Sequence, residues 1–555
     1  MTDETIKALD AMPRILIVDN DSRTRRAYQE LLKHWEYQPI LAEGDGQSLL
    51  EDAQAKAKNY RCQLVLMDMR LIDDFDDDDK SGLELISKLK PASCIMVSAR
   101  AGLADAREAE EKGASGFVGK GEGPKALKER LEREARKICA PKKELNIEPV
   151  EILGRLASTL LGNQIPAQYF DQISDAFLRL FPDAQHLRVE KIGTTHISSD
   201  LLTVPRPRSV ILKVYEDDRQ PVIVKLARVH KVNRELNNFK NYIKGRLYGN
   251  YVPVLEKETI LWDIGGLKLS YVGKIEQNFS NFFKTQPISK IKRSLNGFFK
   301  ETWQPHYRQA VSVENISLFE LYCQVWDRDW VMRIKNFTNC NPEEVMGAEN
   351  WSMAQSPHPI EWMKENIIYK RDVSIVKHTK TAVTHGDLHG DNILVDSGNN
   401  IWVVDFERTR DGHILQDFIE LESDIINRLP CTEENFPAFL SICIAACEQH
   451  EIKGMELTES VEAQSEMKKA MLTISHLRSL ARECTGLNDA RQYLLGLLFN
   501  TLFRATISTS NQRKQCQQRA LMLASILCHR LDHWGEAWPP PHWQKFIYQR
   551  GNHGQ

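Results

Sequence analysis

At 555 residues the chain is too long for one hydrophobic core, so several domains are expected. Apolar residues make up 42% and charged residues 27%, a globular balance, and 73 basic against 76 acidic residues leave no net field that would select nucleic acid or a membrane surface. No run approaches the roughly eighteen apolar residues of a membrane span, the opening Met-Thr-Asp-Glu lacks a signal-peptide layout, and eleven cysteines without a Cys-x-x-Cys pair fit reduced thiols, so a cytoplasmic protein is expected.

Residues 12–140 alternate strands and helices. Arg14–Val18 reads as a buried strand ending in Asp19-Asn20-Asp21, and an amphipathic helix follows from Ser22 to His34. A strand at 39–42, a helix at 47–57 and a strand at 63–67 come next, the last ending in Asp68. Further strands at 94–97 and 116–118 lead into Ser98 and into Gly119-Lys120. Such alternation predicts a parallel doubly wound sheet whose site lies at the carboxyl ends of its strands, where Asp19 and Asp68 would converge. A carboxylate, a bound divalent cation, a hydroxyl and an ammonium are the equipment for forming an aspartyl phosphate.

This stretch resembles the response-regulator receiver domain, a flavodoxin-like fold. The resemblance implies Asp68 as phospho-acceptor, Asp19 as a Mg²⁺ ligand, and Ser98, Phe117 and Lys120 as the switch hydroxyl, switch aromatic and phosphate-contacting lysine. It also implies a bacterial two-component system, a sensor histidine kinase as phosphodonor, and a homodimer through the receiver as one assembly. Asn20 stands where most receivers have a second acid, so either Asp21 serves the metal instead or the cation binds more weakly. The run Asp73-Asp74-Phe75-Asp76-Asp77-Asp78-Asp79 reads as solvated charge, with attraction of Mg²⁺ or a basic partner as the alternative.

Pro141-Lys142-Lys143-Glu144 reads as a domain boundary, and apolar spacing predicts two helices, 148–161 and 166–180, so residues 141–184 are expected to be a helical linker. Strands at 187–191, 209–214 and 222–226, the last two joined at Glu216–Gln220, open a small lobe spanning 185–275. Lys225 ends Pro-Val-Ile-Val-Lys, and Glu235 lies ten residues on in a helical stretch. Strands at 252–260 and 267–272 would complete the sheet.

Residues 276–555 read as a large helical lobe. Its centre is residues 383–407, Val-Thr-His385-Gly386-Asp387-Leu-His389-Gly390-Asp391-Asn392-Ile-Leu-Val, a Ser397–Asn400 turn with Gly and Asn supplying positive φ, and Ile-Trp-Val-Val-Asp405-Phe-Glu407. A hairpin here ties Asn392 to Asp405, so that two oxygen-bearing side chains can meet on one hard cation. Asp387, five residues earlier, is placed to accept a proton from an attacking hydroxyl.

His385-x-Asp387, then Asn392, a hairpin and Asp405 resembles the catalytic loop of the kinase superfamily. His389 and Asp-Phe-Glu make it similar to the aminoglycoside-phosphotransferase and choline-kinase branch, a bilobal fold with a large helical C-lobe. The resemblance implies Lys225 and Glu235 on the phosphates of ATP, Asn392 and Asp405 on Mg²⁺, Asp387 and His385 as catalytic, and Asp417 as the acid that bonds the catalytic-loop backbone. A loop at Gly193–Ser199 would cover the nucleotide, and a hinge near Tyr271–Gly273 would face adenine. Glu420, Glu422 and Asp424 read either as a solvated helix face or as recognition groups for a cationic substrate.

The expectation is therefore a response regulator whose receiver controls an ATP- and Mg²⁺-dependent phosphotransferase. Its acceptor would be a hydroxyl, and with no protein-kinase activation loop a small molecule is favoured over a protein. The rival is a non-catalytic pseudokinase scaffold gated by receiver phosphorylation.

Overall fold

A computed structural model describes residues 5–6, 13–73, 76, 78–99, 102–138, 145–161, 168–191, 209–217, 219–247, 253–270, 275–326, 329–336, 357–370, 372–429, 436–454, 465–507 and 511–548. The chain divides into two compact units, one of residues 1–191, 206–232 and 255–269, the other of residues 192–205, 233–254 and 270–555. The loop expected to cover nucleotide at 193–199, the hinge at 271–273 and the boundary at 141–144 lie outside the described residues.

The first unit holds two sheets. After a short strand β1 (Thr5–Ile6) the chain forms β2 (Arg14–Val18), α1 (Ser22–His34), β3 (Gln38–Leu41), α2 (Gly46–Asn59), β4 (Leu64–Met67), α3 (Ser81–Leu85), β5 (Ser93–Ser98), α4 (Leu103–Glu111), β6 (Gly116–Gly119) and α5 (Gly123–Ile138). β2 to β6 make a parallel sheet in the order β3-β2-β4-β5-β6. Alternate residues serve opposite faces. Leu16, Val18, Val65, Met67 and Met96 join one apolar core, and Ile15, Ile17, Leu64, Leu66, Ile95 and Val97 join the other. Burial on both faces is what a parallel sheet with helices on either side demands. The strand order reverses between β2 and β4, so their carboxyl ends flank the crevice of a flavodoxin-like fold. This is the doubly wound sheet expected from the sequence.

The second sheet corrects the linker expected at 141–184. Leu145–Glu148 is a strand, β7, and α6 (Ile152–Leu161) and α7 (Gln168–Leu180) pack their apolar faces on the sheet that β7 joins. With β8 (His186–Lys191), β9 (Ser209–Glu216), β10 (Val222–Arg228), β11 (Val254–Ile260) and β12 (Ile264–Ser270) the sheet has the order β1-β7-β8-β9-β10-β12-β11. Leu156, Phe177 and Phe181 are fully buried with Leu187, Leu212 and Val224. Burial of that kind stabilises by about 1.5–3 kcal/mol per large side chain, so these helices are core and not spacer. α8 (Val229–Asn238) follows β10 directly.

In the second unit β13 (Ile275–Asn278) pairs with β16 (Ile393–Asp396), which pairs with β17 (Ile401–Val403). β14 (Val311–Ser317), β15 (Ile375–Thr384) and β18 (Arg410–His413) form a second three-stranded sheet. The described helices of this unit include Leu318–Trp326, Gln416–Asn427, Phe436–Ala446, Ser465–Thr485, Ala490–Ile507 and Asn511–Asp532. Its aromatics are core. Phe299 stacks on Phe418 at 4.2 Å and Trp326 on Phe503 at 4.7 Å. The Pro-broken segment Trp538–Trp543 docks on these helices, with Trp543 fully buried and the Trp538 indole donating to the Ile444 carbonyl at 2.9 Å. No described helix is long and apolar enough to cross a membrane.

Candidate functional site

Two sites emerge, one in each unit. In the first, β2 and β4 deliver Asp19 and Asp68 side by side, and β6 delivers Lys120 to both. Lys120 Nζ lies 2.9 Å from Asp19 Oδ2 and also binds Asp68 Oδ2. Burial pushes Asp19 up to about 6 despite Lys120, while the two carboxylates hold the Lys120 ammonium above its ordinary range against the opposing effect of burial. Ser98 is buried at the end of β5, next to the strand that leads to Lys120. Met69 N donates to Asp68 Oδ1 at 2.7 Å, which restrains that carboxylate's rotamer. Gly82 is required here, because a Cβ on it would lie 2.1 Å from the Asp68 carbonyl oxygen.

In the second unit β15 ends at Thr384 and its loop runs into the β16–β17 hairpin. The register Ile393↔Val403, Leu394↔Trp402 and Val395↔Ile401 continues outward through Val404 N donating to Asn392 O at 3.0 Å. Asn392 thus faces the residue next to Asp405, the adjacency the hairpin predicts. The turn depends on one left-handed residue, Asn399 at φ 65°, and Asp396 Oδ1 accepts from Gly398 N and Asn400 N at 2.8 and 2.9 Å; Gly398 is not in the positive-φ region that the sequence suggested. Asp405 adopts φ 73°, ψ 68°, a conformation aspartate tolerates better than most residues.

Asp387 is half-buried, and Arg408 Nη1 donates to its Oδ1 at 3.1 Å. Burial raises the Asp387 carboxyl, but Arg408 and His389 outweigh it and hold the group below its ordinary range. Asn392 Nδ2 donates to the Asp387 carbonyl at 2.9 Å, which points the other amide atom, Oδ1, away from that bond. His385 is wholly buried, its Nε2 lying 3.1 Å from the Val404 carbonyl, and burial lowers it to about 4. The ring is therefore neutral, and it ties the loop to the hairpin.

A helix that the sequence left half-read holds this loop. Asp417 accepts His385 N at 2.8 Å and Gly386 N at 3.0 Å, Glu420 accepts Leu388 N at 2.7 Å, and Asp424 accepts Gly390 N at 2.8 Å. One carboxylate per helical turn thus receives amides of the loop, at 385 and 386, at 388 and at 390. Glu422, on the other side, takes Arg478 Nε and Nη2 at 2.9 and 2.5 Å and the Tyr493 hydroxyl at 2.7 Å. All four acids are at most 1% exposed. Both readings of Glu420, Glu422 and Asp424, a solvated face or a cation-recognition surface, are corrected: the acids point inward and are bonded there.

Glu235 also reaches the hairpin, its Oε1 accepting Phe406 N at 3.1 Å, and Asn238 donates to the Phe406 and Glu407 carbonyls at 3.0 and 2.8 Å. Lys225 is buried on β10 in the first unit, in register with Ile211 and Leu267, while Glu235 belongs to the second.

A family model described as the response regulator receiver domain matches residues 15–132. Those residues are a receiver domain. A second model, described as ternary complex associated domain 9, matches residues 343–502. No curated protein matches the chain. Among solved structures, a CheY-like receiver domain from Methanospirillum hungatei JF-1 is 26% identical, with 23% of this chain and 96% of that one covered and a TM-score of 0.20. The BeF3-activated receiver domain of RstA from Klebsiella pneumoniae is 20% identical, covering 22% and 98% at a TM-score of 0.19, and CheY4 from Vibrio cholerae is 22% identical, covering 22% and 98% at 0.19.

Within the receiver, Asp21 departs from its expected role as a metal ligand. It caps α1, accepting Arg23 N at 3.0 Å, Thr24 N at 3.3 Å and the Thr24 hydroxyl at 2.8 Å, and these bonds hold it below its ordinary range. The acidic run is partly a self-capped loop: Asp79 accepts the amides of Ile72, Asp73 and Ser81 at 2.9 Å each. Among the described residues no three His, Cys, Asp or Glu side chains form a metal cage. A Mg²⁺ ion needs less than that, since it keeps waters and takes one or two carboxylates plus phosphate oxygens. The pairs Asp19–Asp68 and Asn392–Asp405 fit that chemistry.

Proposed function

We propose that the receiver governs an ATP- and Mg²⁺-dependent phosphotransferase in the rest of the chain, acting on a hydroxyl acceptor, with a sensor histidine kinase charging Asp68. The observation that carries the reading is the loop 385–405, where Asp387, Asn392 and Asp405 come from one hairpin assembly whose amides are bonded to buried acids. Mg²⁺ bound there would neutralise charge developing on phosphate oxygens. Asn392 Oδ1 and Asp405 would hold it. Asp387 would orient the acceptor hydroxyl and take its proton. Its low affinity for protons suits an orienting group more than a strong base, because Brønsted behaviour makes a weakly basic carboxylate a poor proton abstractor. His385, neutral and buried, is a positioning residue. A small-molecule acceptor is favoured over a protein.

One contact favours the scaffold reading, the Arg408–Asp387 ion pair, which occupies an oxygen the acceptor would use. The experiment is turnover of radiolabelled ATP against a panel of hydroxyl acceptors, together with Mg-dependent ATP affinity, for wild type, Asp387→Asn, Asp405→Ala and Lys225→Ala. Turnover abolished by Asp387→Asn with ATP affinity retained supports the phosphotransferase. Binding without turnover in wild type supports the scaffold, and absence of both removes the nucleotide site.

A further inference from the structure

β4 has two ends. Asp68 follows its carboxyl end, and the turn Arg61-Cys62 precedes its amino end, about 13 Å away for four residues of strand. That second end is not bare. Arg61 Nε donates to Asp263 Oδ2 at 2.9 Å, and the Trp262 indole N–H donates to the Cys62 carbonyl at 2.9 Å. Trp262 and Asp263 form the turn between β11 and β12 of the seven-stranded sheet. Gln172 of α7 closes the group from the other side, its Nε2 donating to Asp263 Oδ2 at 2.8 Å and its Oε1 accepting Asp263 N at 3.0 Å. Arg61 is 9% exposed and sits at φ 50°, an unusual conformation for arginine that the surrounding bonds hold in place.

Two features make this contact more than an anchor. Trp262 packs against the receiver core that contains Met67, Met69 and Met96, and Phe117, the aromatic three residues before Lys120, packs against the same core. The Asp263 carbonyl accepts Val229 N at 3.0 Å, the first residue of α8, the helix that carries Glu235. One turn therefore touches the receiver core on one side and the start of α8 on the other. A second tie runs in parallel: β1, before the receiver, pairs antiparallel with β7, after it, so both ends of the domain enter the same sheet.

We infer that the Arg61–Cys62 turn is a docking surface for the Trp262–Asp263 turn of the same chain, and that the charge state of Asp68 is passed through it to the start of α8. The docking claim rests on the receiver domain alone; the consequence for Glu235 rests on the phosphotransferase reading. The bonds hold the two turns in one arrangement, and repacking around Met67 and Phe117 when Asp68 is charged would move Trp262, a side chain that belongs to the neighbouring sheet.

Hydrogen exchange of the full chain, with and without beryllofluoride and Mg²⁺, tests the coupling, and ATP turnover measured on the same samples tests the phosphotransferase reading separately. The expected result is a change on the order of 5-fold or more in exchange of the amides at 261–264 and 229–232, accompanying that at 98 and 117–120. Asp263→Asn and, separately, Gln172→Leu should keep the change at 98 and 117–120 and lose it at 229–232, which shows that the variants still fold and respond. A wild-type response confined to the receiver overturns the coupling. No response at 98 and 117–120 overturns it too, together with the phospho-acceptor role of Asp68. Altered exchange at 229–232 without any change in ATP turnover leaves the coupling standing and counts against the phosphotransferase.

Discussion

Glu420 Oε2 receives the backbone amide of Leu388 at 2.7 Å, one residue beyond Asp387, from a helix more than thirty residues later in the chain. Glu420 also takes the Trp326 indole at 3.0 Å and Gln416 at 3.2 Å, so each of its oxygens is engaged. With Asp417 before it and Asp424 after it, the helix Gln416–Asn427 works as a brace: its acids satisfy loop amides that could find no partner in secondary structure, because the loop is buried and irregular.

The brace gives a first prediction. In Asp417→Asn one carboxylate oxygen becomes an NH2 group facing a backbone N–H, leaving a buried donor without an acceptor. Such a group costs about 1–3 kcal/mol. Thermal unfolding should show a corresponding loss, and hydrogen exchange at His385 or Gly386 should rise. Unchanged protection of both amides would show that Asp417 does not hold the loop.

Glu422 offers a sharper case, since its partners are buried as deeply as it is. Arg478 grips it with two bonds, and Tyr493 adds a third. Removing one member of a buried ion pair costs about 3–5 kcal/mol, chiefly through the charge left behind, while replacing both members costs much less. Glu422→Gln and Arg478→Met should each lower the urea midpoint strongly, and the double variant should recover part of the loss. Additive losses would sink this account.

Gly386 separates the two halves of the His385–Asp387 turn at φ 77°, and a Cβ there would lie 2.5 Å from the Arg408 carbonyl oxygen. The left-handed conformation alone costs an L-residue about 1–2 kcal/mol, and backbone oxygen cannot step aside as a side chain would. Gly386→Ala should therefore destabilise by more than that and displace Arg408 from Asp387. Gly297→Ala, where nothing lies within 4 Å of the added methyl, is the control and should be neutral or mildly stabilising.

How much of this was readable from residues alone follows from the range of each interaction. The receiver sheet was legible because each strand is a local apolar run and its functional residues sit at strand ends. The β16–β17 hairpin was legible because Asn399 and the runs beside it are close in sequence. The brace was not, since Asp417, Glu420 and Asp424 share a face whether that face meets water or a distant loop. A signal was nevertheless present: Phe418, Ile419, Leu421, Ile425 and Ile426 surround the helix with apolar residues, and a helix apolar on all sides is buried, so its acids needed internal partners. β7 escaped because a four-residue alternation ending at Pro149 looks like a helix entry until the sheet is present to pair it. Asp21 was misread because a helix cap and a metal ligand use the same oxygens.

The pH dependence of stability follows from three buried imidazoles. His306, His385 and His413 are at most 2% exposed, and burial lowers each from the ordinary 6.5 to about 4. The unfolded chain takes up these protons first as pH falls, so the contribution of each neutral ring is complete above about 6.5 and is lost progressively down to about 4. Asp19, raised to about 6, acts in the opposite direction over most of that range and Asp417, raised further, over all of it, so the total slope is a poor test and a difference between variants is a good one. His413 suits the purpose: its Nδ1 lies 3.2 Å from the Tyr322 hydroxyl and its Nε2 3.4 Å from Gln492 Oε1, contacts a neutral amide can partly replace. Urea unfolding of wild type and His413→Gln at pH 7 and pH 5 should give a fall in stability that is smaller in the variant by about 2 kcal/mol, from about 1.4 kcal/mol per pH unit over the 1.5 units below 6.5. An equal fall in both proteins would mean that His413 keeps an ordinary proton affinity in the fold, and that its burial against Tyr322 and Gln492 does not set its charge.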